Sequence, residues 1–174
     1  MRTILFALAL VLSTANYACS CSPPGKYEVA LSKEIEYSDN VIIGEILEIS
    51  DNQKVITLKV KEIFKGELKQ GQIITFKNNY YCEPFVDELG DWLIYSRMLD
   101  GEFSINPCGL SRSLKNPIKN RYFSVIPPPA PQHPDSLLSK SELELWASEL
   151  KAEQLPKAIK QTELEIEFLR GLEK

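Results

Sequence analysis

Five short runs rich in β-branched and aromatic residues, an early amphipathic helix and a helix-patterned tail predict a mainly β fold with flanking helices. Runs of this length and turn spacing close into a five-stranded antiparallel barrel of the OB type, here with a C-terminal helical tail. A chain of 174 residues, 44% hydrophobic and 25% charged, has room for one such domain plus an appendage.

Each element has its own signal. Ser22-Pro23-Pro24-Gly25 is a turn, and beyond it Tyr27, Ala30, Leu31 and Ile35 recur at helical spacing, so residues 26–37 read as an amphipathic helix. Ser38-Asp39-Asn40 breaks it. Residues 41–50, dense in isoleucine, read as a buried strand, and Asp51-Asn52 turns the chain. Residues 54–64 alternate, with Ile56, Leu58, Val60 and Phe64 on one face and Thr57, Lys59 and Lys61 on the other. Lys65-Gly66 ends this strand. Residues 72–76 form a third, 78–90 a loop that holds Cys82, 92–98 a fourth and 102–106 a fifth. Asp100-Gly101 joins the last two as a tight hairpin, because a type I′ turn needs positive φ at both central positions.

After Cys108 the character changes. Pro127-Pro128-Pro129, Pro131 and Pro134 make a stiff extended linker that cannot join a sheet ladder. Ser141-Glu142-Leu143-Glu144 has the form of a capping box, opening a helix with Leu143, Trp146 and Leu150 on one face. Pro156 stops or kinks it, and a second helix from about Lys157 carries Ile159, Ile166 and Leu169 as its stripe. The tail is expected to be a helical hairpin or a bent helix, docked on the barrel or on a second chain.

The N-terminus reads as a secretory signal over residues 1–18: Met1-Arg2 is a short positive region, residues 4–12 are unbroken apolar, and Ser13, Thr14, Ala15 and Ala18 are small. The apolar run is too short to span a bilayer of ~30 Å at 1.5 Å per residue. A buried N-terminal helix or strand is the alternative. Cleavage after Ala18 makes Cys19 the first residue; cleavage after Ala15, the better fit to a small-residue rule, leaves Asn16-Tyr17-Ala18 ahead of it. The remaining organisation is then a barrel domain over 19–126, a linker over 127–134 and a helical tail over 135–174. A secreted, periplasmic or extracellular location follows, with a lipid anchor on Cys19 as the lesser alternative because it would leave an odd number of thiols.

Four cysteines in an oxidising compartment suggest two bridges. Cys19 and Cys21 are too close in a Cys-x-Cys for a favourable mutual disulfide, so each is expected to reach a distant partner among Cys82 and Cys108. Structural zinc held by these thiolates is the weaker alternative, since one close pair is present where such sites use two.

Composition bears on function mainly by exclusion. A net charge of −4 argues against nucleic acid, whose phosphates call for a basic surface, and no cationic stripe suggests an anionic membrane. No other run is apolar enough to cross a bilayer. The single histidine, His133, sits among the linker prolines, so no Ser-His or Cys-His arrangement is available, and no motif pairs two carboxylates. The chain is read as a non-enzyme that needs no cofactor and acts on a protein partner. Tyr80-Tyr81, Trp92 and Tyr95 could stack a ligand, although core or rim packing is the simpler role.

The start Cys19-Ser20-Cys21-Ser22-Pro23 resembles the N-terminus of the tissue inhibitors of metalloproteinases. The likeness continues through a short helix, Asp39-Asn40-Val41-Ile42-Ile43-Gly44 at the entry to the first strand, Val60 to Gly66 (VKEIFKG) at the end of the second, the Trp92 strand, and Phe103-Ser104-Ile105 before Cys108. It covers roughly residues 19–126. The resemblance implies an OB-fold inhibitory domain (an NTR-like domain) with bridges Cys19–Cys82 and Cys21–Cys108. It also implies that the free amine and carbonyl of Cys19 chelate a target metalloendopeptidase's zinc, where an open position accepts one N and one O donor. Ser20 would point toward the S1′ pocket, Cys21, Ser22 and Pro23 would continue along the cleft, and Tyr80-Tyr81 would add a second contact ridge. The chain differs from the family in having cysteines for two bridges where three are usual, and a cysteine-free helical tail in place of a second cysteine-rich domain. A secreted adhesion or assembly module, using the barrel face or the tail, is the competing reading.

Overall fold

The computed structural model describes Cys21 and residues 25–78, 86–106, 108–120, 122–123 and 140–172. The expected signal segment, Cys19, Ser20, Ser22, Pro23, Tyr80, Tyr81, Cys82, the expected proline linker and His133 lie outside the described residues.

Helix α1 (Tyr27–Tyr37) precedes strands β1 (Asn40–Ile49), β2 (Val55–Lys65), β3 (Ile73–Lys77), β4 (Gly90–Leu99) and β5 (Glu102–Ile105). The two-residue strand β6 (Arg112–Ser113), a 3₁₀ turn (Pro117–Lys119) and helix α2 (Lys140–Leu172) follow. Every ladder is antiparallel and the strand order is β3-β2-β1-β4-β5, with β3 and β5 side by side, so the sheet curls into a nearly closed five-stranded barrel. This is the OB-type arrangement the sequence predicts. The hairpin at Asp100-Gly101 has φ of 53° and 81°, as the type I′ turn requires.

β1 lies at the centre and is buried on both faces. Ile42 and Ile46 point inward to a core with Ile56, Leu58, Val60, Phe76, Trp92, Ile94, Phe103 and Ile105. Val41 and Ile43 point outward, where with Phe64, Leu93, Tyr95 and Leu110 they build a second core under the two helices. α1 contributes Tyr27, Leu31 and Ile35 to this outer core, and α2 contributes Ile166 and Leu169. The uninterrupted Val-Ile-Ile run is therefore what a strand with two covered faces demands.

The β1–β2 register shifts at three points, and one of them reverses the alternation along β2. Ile43 pairs with Glu62 and Gly44 with Val60, so Lys61 is an extra residue, a β-bulge. Beyond it the parity reverses, and Phe64 joins the outer core instead of sharing the inward face of Ile56, Leu58 and Val60. β2 then ends at Gly66, whose φ is 105°. A side chain there would drive its Cβ to within 2.2 Å of the Asn40 amide oxygen and 2.6 Å of the Asp39 carbonyl. Beside it, the Lys65 ammonium donates to the last-turn carbonyls of Ile35 and Glu36 at 2.7 and 3.2 Å, closing α1 where its dipole favours a cation.

Of the two forms expected for the tail, the hairpin is not the one present. The tail is one 33-residue helix with Pro156 inside it, beginning at Lys140, a residue ahead of the expected Ser141 cap. An interior proline costs about 3 kcal/mol. Fully burying a Leu or Ile side chain gives back about 1.5–3 kcal/mol each, so Ile166 and Leu169 suffice to hold the helix on course. The buried stripe is Ala158, Thr162, Glu165, Ile166 and Leu169, while Ile159 is half-buried at its margin.

Two of those positions are polar because they meet Arg112. Its guanidinium, 1% exposed, lies 2.6 and 3.3 Å from the two Glu165 oxygens and donates to the Thr162 hydroxyl at 3.0 Å and the Leu110 carbonyl at 2.8 Å. It also stacks 4.7 Å over the Phe123 ring. The Tyr95 hydroxyl donates to the same carboxylate. Burial pushes the Glu165 carboxyl up and the Arg112 guanidinium down from their ordinary values, because each charge loses water there; the 2.6 Å contact between them opposes both shifts. At the helix end, Arg170 forks onto the Glu62 carboxylate at 2.7 and 2.8 Å.

Removing one partner of the buried pair strands the other. Arg112→Ala is expected to cost about 3–5 kcal/mol in urea unfolding, whereas Arg112→Met with Glu165→Leu, which removes both charges, recovers most of that loss. The Arg170 hydrogen bond holds Glu62 below its ordinary 4.5. A depressed folded-state pKa stabilises above the unfolded value and is lost as pH falls through the folded one. Melting temperature should therefore fall below pH 4.5 by a small increment that Arg170→Ala abolishes.

Candidate binding rim at the Cys21–Cys108 bridge

The described residue nearest the Cys-Ser-Cys start is Cys21, and it is bonded to Cys108, with Cα atoms 5.5 Å apart. This is the pairing that the resemblance implies for these two residues; Cys19 and Cys82 lie outside the described residues. Cys108 sits just beyond β5, so the bridge attaches Cys21 there.

That attachment point is fixed by a polar clamp. The Asn106 amide oxygen accepts from the Cys108 N–H at 3.1 Å, and its amide nitrogen donates to both Glu34 oxygens at 3.0 Å. Burial raises the Glu34 carboxyl, opposed by the Asn106 bond, the nearby Arg97 charge and the Leu110 N–H. Gly109 allows this approach: a Cβ there would stand 2.1 Å from a Glu34 oxygen. From the other side, the buried Asn120 amide donates to the Gly109 and Ser111 carbonyls at 3.0 and 3.1 Å. The Ser111 hydroxyl in turn accepts from the Tyr95 N–H at 2.8 Å, filling the gap on the β4 edge between β5 and β6. The bridge is thus anchored to α1, to the barrel wall and to the chain before α2.

Trp92 and Tyr95 are buried in the inner and outer cores, so they are packing residues and not a stacking platform. The Trp92 indole N–H donates to the Glu88 carbonyl at 3.1 Å. Among the described residues, no group of three or more His, Cys, Asp or Glu side chains is placed to hold a metal ion, and no helix is long and apolar enough to cross a membrane.

Two surface grooves had no signal in the sequence. One, of about 440 Å³, lies between α1 and α2 and is lined by Tyr27, Leu31, Ile35, Gln161, Phe168 and Leu172. Phe168 stands 52% exposed at its edge. The other, of about 490 Å³, follows the seam between β3 and β5. Glu34, Asn106 and Gly109 were likewise silent, because Glu34 and Asn106 meet across 72 residues and follow no motif spacing.

A bridge across 87 residues contributes about 4–5 kcal/mol in the chain-entropy model, as an upper figure. Cys108→Ser with Cys21→Ser is expected to lower the urea midpoint by a large part of that. Asn106→Ala, which strips the clamp and keeps the bridge, should cost about 1–3 kcal/mol by leaving half-buried Glu34 without its side-chain donor. Compared with known proteins, the chain matches no protein-family model and no curated protein sequence.

Proposed function

We propose that the chain is a secreted binding protein that inhibits a zinc metalloendopeptidase through its Cys19-Ser20-Cys21-Ser22-Pro23 segment. The observation that carries this reading is the Cys21–Cys108 bridge on an OB-type barrel, backed by the Glu34–Asn106 clamp. A segment tied at Cys21 to a rigid wall loses little freedom when it enters a cleft, which lowers the ordering cost of binding. In this reading the Cys19 amine and carbonyl take two positions on the target's zinc and displace the nucleophilic water. An α-amine with an ordinary pKa near ~7.7–8.0 is available unprotonated at neutral pH. Ser20 faces the S1′ pocket, and Tyr80-Tyr81 lies alongside as a second ridge.

A protein-binding module using its helical face is the second reading, favoured by the exposed Leu164, Phe168 and Leu172 beside the α1–α2 groove. Two manipulations separate the readings. Mass spectrometry of secreted protein should find Cys19 as the first residue, and acetylating that amine should abolish inhibition of a zinc endopeptidase while thermal stability is unchanged. Material beginning at Asn16, or inhibition indifferent to acetylation, would overturn the inhibitor reading. Loss of a partner on Phe168→Ser with Leu172→Ser, and not on acetylation, would establish the second.

A further inference from the structure

Helix α2 has two apolar faces, and the barrel uses one of them. Ala158, Ile166 and Leu169 are buried, whereas Leu164, Phe168 and Leu172, on the adjacent face, are exposed. At 3.6 residues per turn, Leu164, Phe168 and Leu172 fall in one arc of roughly 80°, and the same arc takes in Leu150, Lys157 and Gln161. Sequence spacing extends this row through Gln154, Trp146 and Leu143, over about 45 Å of helix. The first half is as bare as the second: from Glu144 to Glu153 the described side chains are exposed, except half-buried Leu150.

The order along the row reads the same from either end. Counted from Lys157, a leucine stands seven residues away on each side (Leu150, Leu164) and an aromatic residue eleven away (Trp146, Phe168). Leucines follow at fourteen and fifteen (Leu143, Leu172), and glutamines fill the places at three and four (Gln154, Gln161). A row of this kind is complementary to itself run backwards, which is the condition for a contact across a two-fold axis. The charges beside the axis agree. Glu153 and Lys160 are exposed on the same flank, so two antiparallel helices centred on Lys157 set Glu153 of each against Lys160 of the other. The two Lys157 ammonium groups that meet on the axis bring their own counter-ions, because Glu153 holds each at 2.6 Å. One pairing opposes, further out on that flank, where Glu149 faces Glu167.

We infer that α2 is a dimerisation helix: two copies of this chain pair antiparallel about a two-fold axis at Lys157, each laying the first half of its α2 along the other's α1–α2 groove. That groove, about 440 Å³ between Tyr27, Leu31, Ile35, Phe168 and Leu172, receives the Leu150 end of the second copy's row. A foreign partner calls for an apolar face but not for its mirror order, so the pattern specifies a second copy. The inference does not rest on the inhibitor reading, and it gives to a second copy the face that the second reading gives to another protein.

Sedimentation equilibrium of the full chain should show a monomer–dimer equilibrium at micromolar concentration. Leu164→Glu with Phe168→Glu, at two exposed positions, should weaken it at least about a hundredfold while circular dichroism keeps its helical signal. Glu149→Lys turns both opposing pairs into attractive ones and should tighten the dimer about fivefold at low salt. Mild oxidation reads the geometry. Lys157→Cys lies on the axis and should link two chains, whereas the two copies of Leu164→Cys stand about 20 Å apart along the helices and should not link. A chain still monomeric at about 100 μM would overturn the proposal. So would a dimer that survives the double glutamate variant, or a link through Leu164→Cys without one through Lys157→Cys.

Discussion

The two-sided burial of β1 is the constraint on which the rest of the structure depends. A strand that carries Val41 and Ile43 on one face and Ile42 and Ile46 on the other cannot sit in a barrel wall with water outside. Pairing with β2 and β4 supplies the inner core, but the outer face needs a cover of its own. α1 covers one part and α2 another. The bulge at Lys61 serves the same end, because it turns Phe64 outward to extend the surface on which the helices sit.

From that constraint the polar features fall into place. Arg112 and Glu165 join the short strand β6 to α2 inside the outer core, where an unpaired charge would be intolerable. The pair fixes the rotation and register of a helix whose apolar contacts alone, Ala158, Ile166 and Leu169, are few and slippery. A similar logic governs the rim. Glu34, on the helix that covers β1, reaches Asn106 beyond β5 and so couples the outer layer to the loop that holds Cys108. Cys21 is therefore anchored, through Cys108, to the same frame that the helices complete.

How much of this was legible in the sequence follows from the range of the interactions. Strand existence, the Asp100-Gly101 hairpin and the barrel class are written in local alternation and turn chemistry, and they are all present. The residues that carry the family resemblance are legible for a different reason. Asp39, Asn40 and Gly66 meet in one tight contact at the ends of β1 and β2, so they report the fold and say nothing of what the protein binds. What was not legible is non-local. No pattern announces that Arg112 will find Glu165 53 residues later, or that β6 will fill a vacancy on β4. Pro156 left two outcomes open, a stop or a kink, and the chain continues as one helix because burial downstream outweighs the local preference for a break.

The dependence of the barrel on its helical cover can be measured directly by truncating the chain before Lys140 and following cooperative unfolding with tryptophan fluorescence, since Trp92 lies in the inner core. If the outer face needs α2, the shortened chain exposes Val41, Ile43, Leu93 and Tyr95, binds a hydrophobic dye and loses its sharp transition. A truncated barrel that melts cooperatively at the full-length temperature, with no dye bound, would contradict this.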